Sequence, residues 1–248
     1  LLAFRVIARL DVKGEHVVKG YQYEGLRVVG KPASLAKKYA DDGADEIVYL
    51  NTASLYGKTN LEKILEETVA EVFVPVSVGG GIRSKEDARR LFNAGADKIV
   101  VNTAALARPA LIDELAAHFG SQAVVVSIEA KRVNGGWHAF GDNGREDSGR
   151  CAMEWAAEAA RRGAGELLVT SIDSDGTQAG PDMGLAAHLD RLPIPVPVVL
   201  AGGIGHGTVA DAARVADAVA VGAALHYGKT TIPALKAAIG AAGKPVRL

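Results

Sequence analysis

Several familiar signatures are missing from this chain. It has one cysteine in 248 residues, and Cys151 alone forms no internal disulfide, so a reducing cytoplasm is the expected setting. That thiol also lacks a sequence partner for nucleophilic catalysis. No apolar run approaches the ~18–20 residues of a membrane span. The first residues do not place a charged stretch before a long apolar one, so no signal peptide is expected. Charge has no dominant sign: Lys+Arg 28 against Asp+Glu 29 gives a formal net charge of −1, which argues against non-specific nucleic-acid binding. The six histidines (His16, His118, His138, His188, His206, His226) form no HxH or HxxxH pair, so no metal is expected. Gly57-Lys58-Thr59 and Gly228-Lys229-Thr230 resemble the end of a nucleotide P-loop. The glycine that motif needs five residues earlier is replaced by Thr52 and Ala223.

What is present is order. At 48 % hydrophobic the chain is too apolar for disorder. Eight short β-branched runs alternate with helical patterns: Arg5–Leu10, Glu46–Leu50, Pro75–Val78, Lys98–Val101, Ala123–Ile128, Leu167–Ser171, Pro197–Ala201 and Ala218–Gly222. Between them lie amphipathic stretches such as Leu61, Ile64, Leu65, Val69 and Val72, spaced for one buried helical face. Ser84 and Asp87 read as a capping box, with Gly95 closing that helix. Strands that alternate with helices pair in parallel through right-handed crossovers. At this length the economical closure is a single α/β domain over 1–248, a (βα)8 barrel. A doubly wound open sheet is the alternative.

The halves repeat one another. Leu10-Asp11-Val12-Lys13 returns as Ile128-Glu129-Ala130-Lys131, Gly43–Glu46 as Gly163–Glu166, and Gly79–Ile82 as Ala201–Ile204, all about 120 residues apart. A half-barrel duplication follows, with halves of about 1–120 and 121–248 and one equivalent site in each.

Active sites of such barrels lie at the carboxyl ends of the strands. Asp11 is expected to end the first strand and Glu129 the fifth, facing one cavity as a general acid and base; either carboxylate alone is as readily a solvated strand end. The glycine turns at Gly79–Ile82 and Gly202–Ile204, with Asn102-Thr103 and Gly222-Ala223 in neighbouring turns, are expected to cradle two phosphates across the mouth. Asp175-Gly176-Thr177 is either an ordinary turn or part of the second cradle.

These residues, together with Arg5-Val6-Ile7, Val17–Gly20, VGGGIR at Val78–Arg83, AGADK at Ala94–Lys98, NTAA at Asn102–Ala105, Phe119–Gln122, TSIDSDGT at Thr170–Thr177 and PVRL at Pro245–Leu248, form an ordered set. The chain resembles the cyclase subunit of imidazole glycerol phosphate synthase over essentially its whole length. That resemblance implies a histidine-biosynthesis lyase without cofactor or metal. It would take ammonia from a glutaminase docked on the amino-terminal face and convert a phosphoribulosyl-formimino carboxamide ribonucleotide into imidazole glycerol phosphate and an aminoimidazole carboxamide ribonucleotide. It implies Asp11 and Glu129 as the acid/base pair. Lys19 would act from a long loop after the first strand. Gly81, Asn102, Thr103, Thr170, Asp175, Gly176, Gly202, Gly203 and Ala223 would hold the bis-phosphate substrate. Arg5, Glu46, Lys98 and Glu166 would form a charged gate for ammonia, and Asp97 would face the partner.

The chain departs from the family pattern at four positions. Glu129 stands where aspartate is expected, Asn51 replaces an aspartate, Ala223 replaces a serine, and Arg9 replaces a small residue. Alternation with Arg5 and Asp11 turns Arg9 into the lumen. There a guanidinium, which keeps its charge, requires Asp11 or Glu129 as partner. Relatives in surface-polysaccharide synthesis resemble the cyclase but act as ammonia conduits for a sugar amidotransferase. That function is the second expectation. His226 is expected either to touch substrate or to be structural.

Overall fold

A computed structural model describes residues 3–52 and 60–247; Gly57-Lys58-Thr59 and Leu248 lie outside them. Eight parallel strands close into a barrel: β1 (Arg5–Lys13), β4 (Glu46–Asn51), β5 (Val76–Gly79), β6 (Lys98–Val101), β7 (Val124–Val133), β10 (Glu166–Ser171), β11 (Val198–Ala201) and β12 (Ala218–Val221). Each pairs with the next, β7 joins β10, and β12 returns to β1, so these strands leave no open edge. The closed barrel excludes the open doubly wound sheet.

The four remaining strands were not anticipated from sequence. β2 (His16–Tyr21) and β3 (Glu24–Gly30) extend β1, while β8 (Gly136–Gly141) and β9 (Glu146–Cys151) extend β7, all antiparallel. Each half therefore opens on a barrel strand that runs on into a hairpin. Consequently Asp11 and Glu129 lie within β1 and β7 and do not end them. The segment after β1 is ordered strand, where a long loop was expected, because pairing with β1 satisfies its backbone groups. Asn134-Gly135, both at positive φ (48° and 84°), is the tight turn that returns β8 onto β7.

Two apolar layers hold the fold. Outside the strands, residues such as Val6, Leu10, Leu65, Leu111, Leu115, Trp155 and Ile239 pack between barrel and helices. Inside, Ile7, Val48, Val100, Val125, Leu168, Val199, Ala218 and Ala220 fill the lumen. The helices alternate with the strands: α1 (Pro32–Asp41), α2 (Leu61–Val69), α3 (Lys85–Asn93), α4 (Thr103–Ala107), α5 (Ala110–Phe119), α6 (Ala152–Arg161), α7 (Met183–Asp190), α8 (Val209–Val215), α9 (Ala223–His226) and α10 (Ile232–Ala241). Their starts follow the local chemistry. The Ser84 hydroxyl accepts the Asp87 N–H at 3.2 Å, and Asp87 in turn accepts the Arg83 N–H at 2.9 Å. Asn60, Asp182 and Thr231 cap α2, α7 and α10 in the same way.

A repeated aspartate fixes strand starts. Asp45, Asp97 and Asp217 immediately precede β4, β6 and β12, and they accept the backbone N–H of Val6, Val76 and Val198 on the neighbouring strand at 2.8–2.9 Å. Among the described residues no helix is long and apolar enough to cross a membrane.

Candidate active site at the carboxyl-terminal mouth

β1 sends Arg5, Ile7, Arg9 and Asp11 to one face by simple alternation, which is the lumen. Arg9 is 4 % exposed. Its Nε donates to Asp11 Oδ1 at 2.8 Å, and its terminal nitrogens donate to Thr170 Oγ1 at 2.9 Å and to the Tyr23 hydroxyl at 3.1 Å. Of the two partners expected for Arg9, the structure selects Asp11. Lys19 is not the solvated loop lysine of the simpler reading: it lies on β2, 2 % exposed. Its Nζ donates to Asp11 Oδ2 at 2.8 Å and to both Asp175 oxygens at 2.8–2.9 Å. Two cations and two anions thus form a buried chain, Arg9–Asp11–Lys19–Asp175.

Glu129 stands outside this chain. One of its carboxylate oxygens is buried without a hydrogen-bond partner among the described residues, and the Gly144 N–H supports the group. The two carboxylates therefore diverge. Burial raises the proton affinity of Asp11, but Arg9 and Lys19 outweigh it and hold the group well below the usual carboxylate range. Burial pushes Glu129 up to about 7; Arg9 and Gly144 oppose this, and Asp11 and Asp175 reinforce it. Near neutral pH one carboxyl is ionised and the other half protonated, the division an acid/base pair needs.

Around them lies a cavity of about 410 Å3 lined by Arg9, Asp11, Lys19, Glu129 and Asp175, by Gly80–Arg83 after β5, and by Asn102 and Thr103 after β6. Its size suits a small-molecule ligand. Thr103 Oγ1 accepts the Asp142 N–H at 3.0 Å and Asn102 Nδ2 donates to the Phe140 carbonyl at 3.1 Å, so the second hairpin braces the turn after β6. The second turn is close by: Gly176, Gly202, Gly203 and Ala223 line a small adjoining chamber. Gly203, at φ 74°, has the Gly180 carbonyl where a Cβ would stand, so a side chain is excluded there. Asp175-Gly176 therefore belongs with the second turn. Asn51, 8 % exposed, lines the main cavity.

His226 is structural. Burial lowers it to about 4, so it is neutral near pH 7. Its Nε2 donates to the Arg9 carbonyl at 3.1 Å, leaving Nδ1 to accept from the Tyr39 hydroxyl at 2.8 Å. Sequence reasoning missed Tyr23, whose hydroxyl meets Arg9 and whose ring lies 5.6 Å from that guanidinium. Its only sequence signal is the Gln22-Tyr23 pair between two β-prone runs.

At the opposite end of the barrel, Arg5, Glu46, Lys98 and Glu166 are each the first residue of their strand. They close a ring of alternating charge. Arg5 bonds Glu46 at 2.6 Å and also bonds Glu166, while Lys98 bonds Glu46 at 3.0 Å and Glu166 at 2.9 Å. Arg5 and Lys98 hold Glu166 below its ordinary range against the opposing effect of burial. Asp97 is exposed beside Lys98, with one oxygen occupied by the Val76 N–H.

Fold and site together define a (βα)8 barrel with a ligand-sized polar site at the carboxyl-terminal mouth. The chain belongs to the histidine biosynthesis protein family, whose pattern it matches over residues 5–231. It is similar to the imidazole glycerol phosphate synthase subunit HisF of Legionella pneumophila, with 51 % identity over 203 residues, 81 % of this chain and 95 % of that protein.

Proposed function

We propose that this chain is the cyclase subunit of an imidazole glycerol phosphate synthase. Ammonia from a glutaminase partner would convert the phosphoribulosyl-formimino carboxamide ribonucleotide into imidazole glycerol phosphate and the aminoimidazole carboxamide ribonucleotide. The observation that carries this reading is the divergence of the two carboxyls in one cavity. Glu129, poised near neutrality, carries protons during ammonia addition, cyclisation and C–N cleavage. Asp11, kept ionised by Arg9 and Lys19, stabilises positive charge that develops on nitrogen. The glycine turns at Gly81 and at Gly202-Gly203, with Asn102, Thr103, Asp175, Gly176 and the Ala223 N–H, seat the two phosphates; Thr170, also expected there, is fully buried and holds Arg9 instead.

The partner docks on the amino-terminal face. Support comes from the charge ring there, and Phe73, 92 % exposed on the loop that enters β5, offers an apolar contact on the same face. One observation favours the second reading, an ammonia conduit for a sugar amidotransferase. Arg9 already occupies Asp11, so the axis of catalysis is engaged while the ring at the far end is complete.

The test is turnover of the formimino ribonucleotide by the purified chain with free ammonia held constant as pH is varied. Turnover that falls at least about 10²-fold in Asp11→Asn supports the cyclase. Near-normal activity in that variant sinks the assignment, and no turnover by the folded chain moves it to the conduit.

A further inference from the structure

The first hairpin turns at Gln22-Tyr23, and both residues take positive φ, 49° and 67°. That backbone suits a two-residue hairpin turn, where Asn and Gly are the usual occupants. An aromatic residue held in the left-handed region is strained, and such strain is kept where the side chain serves a purpose. Gln22 secures the turn through the Asp173 and Asp175 carbonyls.

The Tyr23 side chain makes two contacts across the mouth. Its hydroxyl accepts from an Arg9 terminal nitrogen at 3.1 Å, on the guanidinium whose Nε is on Asp11. Its ring lies against the tip of the second hairpin, where a Cβ on Gly144 would meet it at 2.8 Å. The Gly144 N–H is the group that supports Glu129. One side chain therefore touches a supporting neighbour of each carboxyl. The buried Glu129 oxygen that lacks a partner among the described residues is an open acceptor for any donor released nearby.

We propose that Tyr23 is a positioning residue for the acid/base pair: its hydroxyl keeps Arg9 on Asp11 and off Glu129, and its ring keeps the Gly144 N–H on Glu129. The inference rests on the reading of Glu129 as the proton carrier of this site. The other charged groups around the cavity are already committed or screened. Lys19 is bonded to Asp11 and Asp175, and Arg83, Arg108 and Arg145 stand exposed at the rim, where solvent and salt weaken their reach. Arg9 is the buried cation whose terminal lobe can be redirected.

Carbonyl-detected NMR titration of the side-chain carboxyls in the full chain tests this without substrate, the Glu129 signal being assigned by its loss in Glu129→Gln. Tyr23→Phe keeps the ring and removes the hydroxyl. The Glu129 midpoint is expected to fall by about one pH unit, a roughly tenfold loss of proton affinity, and the high-pH limb of the cyclase rate is expected to move with it. Gly144 amide exchange is expected to stay at the parental rate in Tyr23→Phe and to quicken at least about tenfold in Tyr23→Ala. An unmoved midpoint in Tyr23→Phe, or the same fall when Arg9→Met is already present, overturns the role of the hydroxyl. Parental Gly144 exchange in Tyr23→Ala overturns that of the ring. A displaced midpoint beside an unmoved rate limb overturns the positioning role in catalysis. Failure of the cyclase reading itself is told apart by absent turnover in the parent chain.

Discussion

Glu129 shows how far a single residue's chemistry depends on what its neighbours choose. Arg9 can reach one carboxylate, it reaches Asp11, and Glu129 is left with burial as its dominant influence. A plot of cyclase rate against pH is therefore expected to turn downward near pH 7, as the proton on Glu129 is lost. Glu129→Gln is expected to cost about 10²-fold or more in rate and to erase that limb. Stability responds in the same sense. A carboxyl whose folded value is raised from 4.5 to about 7 contributes fully below pH 4.5, and its contribution is lost as pH rises through 7. Asp11 runs the other way: its contribution is present above the ordinary aspartate range and is lost as acid is added. Urea unfolding of Glu129→Gln between pH 5 and 8 is expected to show a flatter pH dependence than the parent chain. The sequence placed Arg9 in the lumen by alternation with Arg5 and Asp11. It did not show which carboxylate the guanidinium takes, because that depends on the hairpin that brings Tyr23 and Lys19 inward.

Among the elements, that hairpin is the least legible part of the chain. The eight barrel strands are buried on both faces and read as continuous β-branched runs such as Lys98–Val101 and Ala218–Val221. β3 has no buried residue and its apolar content is broken by Gly25 and Arg27, so no periodicity marks it. Asn134-Gly135 did carry a turn signal for the second hairpin. The β2–β3 hairpin is seated by the loop after β10: the Gln22 N–H bonds the Asp175 carbonyl at 2.9 Å, and Gln22 Nε2 bonds the Asp173 carbonyl at 2.7 Å. Gly176, at φ 75°, has the Gly20 carbonyl where a Cβ would lie. Gly176→Ala is expected to cost about 1–2 kcal/mol and to lift the hairpin, seen as faster amide exchange confined to residues 16–30. Unchanged exchange there would place the seat of the hairpin elsewhere. Elsewhere, Ser84→Ala removes the α3 cap and is expected to lower stability by about 1 kcal/mol in thermal unfolding.

At the scale of the whole molecule, the barrel separates two polar assemblies by an apolar lumen. The four ring residues sit at strand starts, so their meeting and their pairing across one opening were legible once the barrel was; that each cation bonds both glutamates was not. Glu46→Gln leaves Arg5 and Lys98 competing for Glu166. It is expected to destabilise the chain by about 1–3 kcal/mol, with a further loss on acidification as Glu166 takes up its proton. Phe73→Asp is expected to leave stability within about 0.5 kcal/mol and to weaken association with a glutaminase subunit in ultracentrifugation. Equal association would remove that side chain from the docking face.

The ring has a further consequence. Four charges of alternating sign around a closed circuit carry no net charge and almost no net dipole, and on the axis through their centre the potential of the two cations is cancelled by that of the two anions. An ion moving along that axis is neither drawn in nor repelled, yet it still surrenders its hydration before Ile7, Val48, Leu168 and Val199. A small uncharged molecule has far less hydration to surrender. A passage through such a ring would therefore sort by the presence of charge and be indifferent to its sign, a filter built from four ions that discriminates against all ions.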